Sequence, residues 1–578
     1  MIKTLLRNTR KTDSLRRGIA SGFLAVGRRA YAAFALLILF VATALAVAQE
    51  PARVGVGVIE KKLSLQEALE LALRHNLDIE IERTGVASSR QLLNAAKGAF
   101  DGIFRWQPTY ESRNTPTTNS LFAADGKLTE RFNNQNFSFL QKLSWQGATV
   151  QAGFDNSRQS TNNPFAGLNP YTQSRLLFGI TQPLWRNRLI DRDRAELRIR
   201  SKAIDVSETD LELRVIDVVS RAELAYWDLV SVRQGVRVAA EGVQWGLEQT
   251  GRSKRMIAAG TLAPVELAGA EAELERRRDT YFASLNAVTD AENVLKTLIA
   301  SGKEDTIWGD VIVPAEEQAK DAPTADDLQK VVDGALQKRP ELRHVALRRE
   351  SNDIQKALAA DQLKPQVNLI ANYTNSGLAG NIPTGGGANP FAQSSAVQTQ
   401  RLNELSARAG LPLLPAASFG SLPGSLIGGY GSVLSGLFGG NYPGIQVGVS
   451  MDWNTRNQTS KANAAGVAIA EKRLALERAR IEQGIVAQVR SALQAIETAR
   501  QRIQAAEASS RAAKEKLESE TRLFQAGEST SFLVLTRQNE YTDSLRRVVV
   551  SRLDYNKAVS RLQQASGETL SSHQLTVR

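Results

Sequence analysis

The sequence predicts a mixed α+β membrane protein, an outer-membrane β-barrel continued by a long periplasmic α-helical barrel. Three observations lead to this fold class. Very long proline-free segments carry a coiled-coil period, and short segments alternate apolar and polar residues as barrel strands do. These short segments are also too few to close a barrel from one chain of 578 residues. Several copies must share one barrel, because strand edges cannot stay open in hydrocarbon.

The long helical segments form two pairs, and each pair is joined by a glycine turn, at Ala259-Gly260 and at Ala526-Gly527. Small or apolar residues recur in alternating steps of four and three, as in Val218, Ala222, Ala225 and Leu229, and this is the period of a coiled-coil seam. An ordinary helix bundle or a dimeric coiled coil would show the same period. The predicted pairs are Asp191–Thr250 with Pro264–Ile299, and Lys461–Phe524 with Phe532–Ala565.

The alternating segments have one apolar face and one polar face over about nine or ten residues, which is typical of outer-membrane barrel strands. A soluble β-sandwich would share this alternation. The segments are 104–111, 137–145, 148–155, 366–373 and 445–453, with a less regular strand at Leu176–Trp185. The candidate membrane-interface aromatics are Trp106, Trp145, Trp185, Tyr373 and Trp453.

Polar or glycine-rich connections separate these strands, at Ser112–Gln135, Ser157–Gln173 and Ser376–Gly444. The last of them contains no phosphate-binding motif and is predicted to be a long loop. The strands number four to six per chain, and the exact count stays open because of an extra hairpin at Asn134–Asn156. A barrel needs at least about eight strands, so one chain is not enough.

Composition excludes most enzyme classes. The chain has no Cys and three His, so disulfides, thiol catalysis and Cys-based metal centres are excluded. No nucleophile–base pair and no phosphate-binding loop is visible, and we therefore expect no enzyme, no cofactor and no metal. The net charge is +12, but residues 1–48 hold eight Lys/Arg and a single acid. The rest of the chain is only mildly basic, so no nucleic-acid partner is predicted.

The N-terminus has the layout of a secretory signal. A basic region precedes the apolar stretch Ala30–Ala48, which ends in Ala46-Val47-Ala48. The alternative is an uncleaved membrane anchor, because this stretch is just long enough to span a bilayer. No later stretch is predicted to be a transmembrane helix.

The chain also reads as two copies of one plan, in which a short helix, strands, a long helix, a glycine turn and a helix follow each other. Ala72–Asp78 matches Ala335–Glu341, and Gly260 matches Gly527 at a nearly constant offset. The predicted divisions are 1–48 signal peptide, 49–99 N-terminal helix, 100–190 strands, 191–300 helical hairpin, 301–363 connecting region, 364–456 strands with the glycine-rich loop, 457–567 helical hairpin and 568–578 tail.

The chain also contains a set of short motifs in a fixed order. They are Ser64–Leu69 with Asn76-Leu77, Gly179–Trp185, Ala225–Leu229, Ala259–Thr261, Arg339–Leu342, Lys364–Val367 and Phe524–Glu528. Over roughly Leu63 to Gly567 the chain resembles the TolC family of outer-membrane efflux proteins. The resemblance implies a homotrimer in the outer-membrane lipid with four strands per chain. It also implies a periplasmic membrane-fusion adaptor and an inner-membrane pump of the RND, ABC or MFS type as partners.

The hairpin tips depart from that family. The positions of its gating aspartates are Leu533 and Thr536 here, and the position of its arginine is Ser529. An ionic gate of that kind is therefore not expected. Glu266 of the first hairpin is the better candidate for a ring of carboxylates on the pore axis, and a solvated surface Glu is the alternative. The candidate constriction and tip residues are Gly260, Glu266, Phe524, Gly527, Glu528 and Ser529.

Three functions fit these observations. The first is an export duct in a tripartite efflux or type I secretion system. The second is a periplasmic coiled-coil structural or adaptor protein with an uncleaved N-terminal anchor. The third is a nutrient-uptake porin, which has no use for helices of about 60 residues and about 90 Å. The alternating aromatic strands favour the first.

Overall fold

A computed structural model describes residues 57, 60–119, 122–123, 125–316, 328–383, 390–415 and 422–576. The predicted signal peptide lies outside the described residues. Within them, none of the helices combines the length and the apolar character that a membrane span requires.

Four long helices dominate the fold, and they are the two predicted pairs. The helices are α1 (Leu65–His75), α2 (Leu77–Lys97), α3 (Arg192–Ala258), α4 (Val265–Ile299), α5 (Leu328–Lys338), α6 (Pro340–Gln362), α7 (Pro390–Arg408), α8 (Tyr430–Phe438), α9 (Gln458–Ala526), α10 (Ser531–Ser566) and α11 (Thr569–Ser572). The long helices run up to eight residues beyond the predicted ends.

The two hairpins are α3–α4 and α9–α10, and each turns on a glycine with left-handed backbone. Gly260 has φ +73° and Gly527 has φ +82°, a conformation that side-chain-bearing residues rarely adopt. Most of the predicted coiled-coil seam of α3 is buried, including Val218, Ala222 and Leu229. Many side chains along the seam are small, so the two helices of the pair approach closely.

The strands are β1 (Glu60–Leu63), β2 (Ile103–Pro116), β3 (Lys127–Lys142), β4 (Thr149–Thr161), β5 (Tyr171–Pro183), β6 (Val311–Pro314), β7 (Gln366–Gly380) and β8 (Pro443–Asp452). Strands β1 and β6 form a small parallel pair. The other six form one antiparallel sheet in the order β2-β3-β4-β5-β7-β8. The open question of strand number is thereby answered for the described residues: the extra hairpin, β3–β4, lies inside the sheet. The four strands per chain that the resemblance implied are two too few.

Most strands are longer than predicted, and two predicted connections shrink. Strand β3 has 16 residues, and Ser112 and Ser157 lie within strands rather than at the start of loops. The polar ends of these strands continue to pair after the apolar alternation stops. Backbone pairing needs no apolar side chain, so the alternation marks only the apolar part of each strand. Leu143 and Trp145, predicted to be in a strand, lie in the turn between β3 and β4.

The predicted loop at Ser376–Gly444 is also corrected, because it contains the helices α7 and α8. Helix α8 packs on β7, with Val433 and Leu437 fully buried. Glycines at 431 and 436 hid it from sequence reasoning, since glycine disfavours an isolated helix by about 1 kcal/mol. Packing on the sheet offsets that cost.

The β1–β6 pair and helix α1 pack against α3 and α4 through one buried apolar cluster. The hydroxyl of Tyr226 in α3 donates to the Glu316 carboxylate and lies 3.1 Å from Leu63 O. Burial, together with the hydrogen bond to Glu316, raises the pKa of Tyr226. These contacts attach the β1–β6 pair to α3.

Candidate pore wall and hairpin tips

The register of the six-stranded sheet places its apolar side chains on one face. One cross-strand row joins Trp106, Phe137 and Phe154, and its rings lie 6.1 and 6.2 Å apart. Another row places Tyr373 opposite Ile445. Trp106 is 58% exposed and Ile445 is 79% exposed in the single chain. An exposed apolar face of this extent is typical of a surface that contacts lipid or protein.

The opposite face of the sheet is polar and mostly uncharged. Gln151, Asn372 and Gln446 form a row of amides, with contacts of 3.5 and 3.2 Å. Gly179 lies between the first two, and a side chain there would collide with both amides. Asp155 and Arg175 form a cross-strand ion pair at 2.8 Å farther along the same face. This face carries generic hydrogen-bonding groups and no cluster of like charges among the residues named here.

Strands β2 and β8 are the two edges of this sheet. Within the part of the chain that the structure describes, each has a strand partner on one side only. Nearly all of their residues are exposed. An exposed edge presents unpaired N–H and C=O groups and pairs readily with another strand.

The four candidate tryptophans lie near the end of the sheet that joins the helices, which we name the helical end. Trp145 lies in the β3–β4 turn, Trp185 and Trp453 just beyond β5 and β8, and Trp106 near the start of β2. Ile445 of β8, opposite Tyr373, lies eight residues before Trp453, which is about 26 Å along the strand. The apolar band of outer-membrane barrels is about 25 Å tall. The assignment of these five aromatics to the membrane borders stays a prediction.

The β3–β4 turn is tied to the start of α3. The Lys142 ammonium lies 2.5 Å from Asp193 and 3.3 Å from Asp191. Arg194, largely buried, donates to Asp191 at 3.0 Å and to Asn187 O at 2.6 Å. Burial by itself raises the pKa of Asp191, but the Arg194 hydrogen bonds and the nearby Lys142 charge outweigh it and hold the pKa below its usual range. The inserted hairpin is thus anchored to the helix that follows the sheet.

At the first hairpin tip, Gly260 ends α3 and Thr261 N donates to Met256 O at 2.9 Å. Glu266 lies in the first turn of α4, where a negative charge is favoured by the helix dipole. It is exposed and has no ion pair with any residue that the structure describes. Its carboxylate is therefore available to a ligand or to a neighbouring copy.

At the second tip, Gly527 ends α9 and Glu528 N donates to Leu523 O at 2.9 Å. The Ser529 hydroxyl bonds to Glu520, and Phe524 is half-buried. The positions that carry gating aspartates in the resembled family, Leu533 and Thr536, are an exposed apolar residue and a hydroxyl bonded back to Phe532 O at 2.9 Å. These positions offer no carboxylate.

The contact that joins the two hairpins was missed by sequence reasoning. Arg277 of α4 is 8% exposed and donates to Glu273 at 2.9 Å and to Gly242 O at 3.0 Å. It also donates to Gln538 at 3.3 Å and to Asn539 at 3.0 Å, both on α10. We call this set the Arg277 clasp.

Two further contacts join α3 to α10 on the same side. Gln249 donates to the Ser531 hydroxyl at 3.0 Å, and both are buried. The rings of Trp245 and Tyr541 stack at 5.7 Å. No sequence signal pointed to these pairs, because they bridge segments about 280 residues apart and each residue alone looks like a solvated helix surface.

With this geometry in place, comparison with known proteins identifies the class. Solved outer-membrane channels share the fold: OprN (14% identity, TM-score 0.57, covering 87% of this chain and 90% of that chain) and Campylobacter jejuni CmeC (13%, 0.56, 87% and 86%). VceC, an outer membrane protein of Vibrio cholerae, is similar too (12%, 0.55, 87% and 96%). No curated protein sequence matches the chain.

Residues 331–568 match the family model of the outer membrane efflux proteins. The predicted resemblance to the TolC family of outer-membrane efflux proteins is thus confirmed, by this domain and by the fold of nearly the whole chain.

Proposed function

We propose that the chain is the outer-membrane channel of a tripartite efflux or type I secretion system, a passive export duct that a partner inner-membrane pump energises. The observation that supports this best is the six-stranded sheet. It has an apolar face, a polar face and two open edges, and it continues directly into two long helical hairpins.

Open edges must be closed before such a sheet can enter a membrane. Edge β8 of one copy can pair with edge β2 of the next, and the family resemblance supports three copies. Three copies of six strands give an 18-stranded barrel, in place of the 12 strands that four per chain would give. At a strand spacing of about 4.8 Å and a tilt of about 40°, the backbone diameter is about 36 Å, compared with about 24 Å for 12 strands.

Within this barrel the apolar face contacts lipid and the polar face lines the lumen. The row Gln151–Asn372–Gln446 would lie on the lumenal side, where neutral amides neither trap nor repel most solutes. The hairpins of the three copies extend the lumen into the periplasm. The wide barrel leaves the hairpin tips as the narrow part of the duct.

The duct performs no chemistry in this proposal. The described residues form no cluster of His, Asp and Glu that could hold a metal ion, and members of the matched family are channels. Transport energy therefore comes from the pump, and a periplasmic adaptor couples the pump to the tips.

The proposal is tested by fractionation and by planar-bilayer recording. We expect the protein in the outer-membrane fraction as a heat-modifiable trimer that conducts ions in an artificial membrane. Release by high salt as a monomer without conductance would support the adaptor-like alternative instead.

Docking of the adaptor should depend on the two glycine turns. Replacing Gly260 or Gly527 with Trp should abolish export, since both turns need left-handed backbone and both tips are exposed. Barrel assembly should be unaffected, because it depends on the sheet. The control is Gly269→Trp, because Gly269 lies on the open surface of α4. Export by both turn variants at the wild-type level would place docking elsewhere.

Cation block of the duct should depend on Glu266. Three carboxylates near one axis attract divalent cations, and Glu266→Gln removes that charge while keeping the side-chain shape. We expect block by added divalent cations in planar bilayers to weaken about tenfold or more, in line with the loss of charge-assisted binding of 1.4 kcal/mol. Glu275→Gln, on the same helix, is the matched control. Unchanged block in Glu266→Gln would leave Glu266 as a solvated surface residue.

A further inference from the structure

Helix α8 is the one helix of the described chain that packs on the face of the sheet carrying the apolar rows. The register puts Asn375, Gly377 and Ala379 of β7 on the same face as Tyr373. The Asn375 amide donates to Leu437 O, and a methyl group on Gly377 would collide with the backbone of Val433. Helix α8 therefore covers the outside of the sheet beyond Tyr373 and does not enter the lumen.

The helix descends toward the apolar band. Ile427, three residues before the helix, bridges to Gly380 at the outer end of β7, whereas Leu437, near the end of α8, contacts Asn375. Asn375 lies only two strand positions beyond Tyr373. The C-terminal end of α8 is thus the end nearest Tyr373. The proposed membrane placement puts Tyr373 at the outer border of the band, about 20 Å above Trp453 along the barrel axis at a strand tilt of about 40°.

The side chains at this lower end are apolar and exposed. Phe438 is 73% exposed, and Tyr442, which follows it, is 48% exposed. Tyr430, Leu434 and Phe438 recur every four residues, so they form one ridge along the helix. The face toward β7 holds Val433 and Leu437, and Ser435 points away from both.

The surrounding sequence lacks charge. Between Arg408 and Asp452 there is no Asp, Glu, Lys, Arg or His, in a chain with 23% charged residues. A charge in hydrocarbon costs several kcal/mol, whereas aromatic side chains are favoured at the membrane border. A charge-free loop of this length fits a segment that lies against lipid, because a loop surrounded by water gains solubility from charge.

We propose that α8 is an interfacial helix, with Phe438 and Tyr442 inserted between the lipids of the outer leaflet. The helix would bind at the border between the lipid headgroups and the acyl chains. It would thereby fix the height of the barrel in the membrane. This inference rests on the proposed function, since it needs the β8 face to contact lipid. Helix α8 extends the apolar surface of the sheet beyond Tyr373, and it does so only over β5 and β7.

The absence of native Cys makes a direct test possible. Single cysteines at Phe438, Ser435 and Val449 are spin-labelled, and the protein is reconstituted into phospholipid vesicles. Accessibility to oxygen, which partitions into lipid, is compared with accessibility to a water-soluble nickel chelate. We expect the oxygen-to-nickel ratio to be several-fold higher at 438 than at 435, and close to that at 449 in the middle of β8.

The outcomes separate the two hypotheses. A label at 438 that meets nickel as freely as one at 435, while 449 reports lipid, would overturn the interfacial helix and leave the barrel intact. A label at 438 shielded from both reagents would show a protein contact and overturn it as well. If 449 also reports water, the proposed membrane barrel fails first.

Discussion

Removal of residues 117–162 should leave a trimeric channel whose barrel has 12 strands instead of 18. The excision deletes β3, β4 and the turn between them, and β2 then leads directly to the connection before β5. Strands β2 and β5 run in opposite directions and carry their apolar side chains on the same face. They can therefore pair without exposing polar groups to lipid. The backbone diameter should fall from about 36 Å to about 24 Å.

Electron cryo-microscopy of the trimer in nanodiscs measures both numbers directly. The matched control replaces only residues 118–125 with a short Gly-Ser linker, which keeps β3 and β4 in place, and it should retain 18 strands. A wild-type barrel of 12 strands would contradict the proposed closure, because β3 and β4 would then lie outside the wall.

Arg277→Met should release the two hairpins of each chain from one another near the tips. Methionine keeps part of the aliphatic stem but removes every donor of the Arg277 clasp, including those to Gln538 and Asn539. Loss of one partner from a buried charged pair typically costs about 3 kcal/mol or more. We expect hydrogen exchange in residues 531–543 of α10 to accelerate by about 100-fold, because each 1.4 kcal/mol is a factor of ten.

The control is Arg278→Met on the next residue, whose guanidinium is exposed and pairs only with Glu275 at 2.7 Å among the described residues. An exposed pair contributes at most about 1 kcal/mol, so exchange in residues 531–543 of the Arg278→Met variant should change by less than tenfold. If both variants accelerated hydrogen exchange equally, loss of any charge on α4 would loosen the contact. The Arg277 clasp would then have no specific role in holding the two hairpins together.

The clasp should also respond to acid. Burial by itself raises the pKa of Glu273, but the hydrogen bonds and charges of Arg277 and Arg276 outweigh it and lower the pKa. A lowered pKa in the folded state means that the stabilisation is complete above the ordinary Glu pKa of about 4.3 and is lost as the pH falls through the lower value. After correction for the intrinsic pH dependence of exchange, wild type should therefore move part of the way toward Arg277→Met as the pH falls below the ordinary Glu pKa, because Arg277 still donates to Gln538 and Asn539 when Glu273 is protonated. The variant should show a flatter pH profile.

Several features could be predicted from the sequence because they depend on neighbours along the chain. The coiled-coil period located the seam at Val218, Ala222 and Leu229, which is buried in the structure. The turns at Gly260 and Gly527 follow from the left-handed backbone that glycine permits. Alternation of apolar and polar residues identified the apolar face of the strands, including Trp106 and Ile445. The family resemblance followed from the order of short motifs.

Other features were decided only by the tertiary structure, because they depend on pairing between distant segments. Polar strand ends such as Ser112 pair although nothing in their sequence marks them as strand. Helix α8 forms because Gly377 lets it approach β7. The Arg277 clasp joins residues more than 200 positions apart, and its members resemble ordinary surface residues until burial removes the water around them. Local pattern thus determined which residues are apolar and where the chain turns, whereas long-range packing decided how many strands the wall has and what holds the tips together.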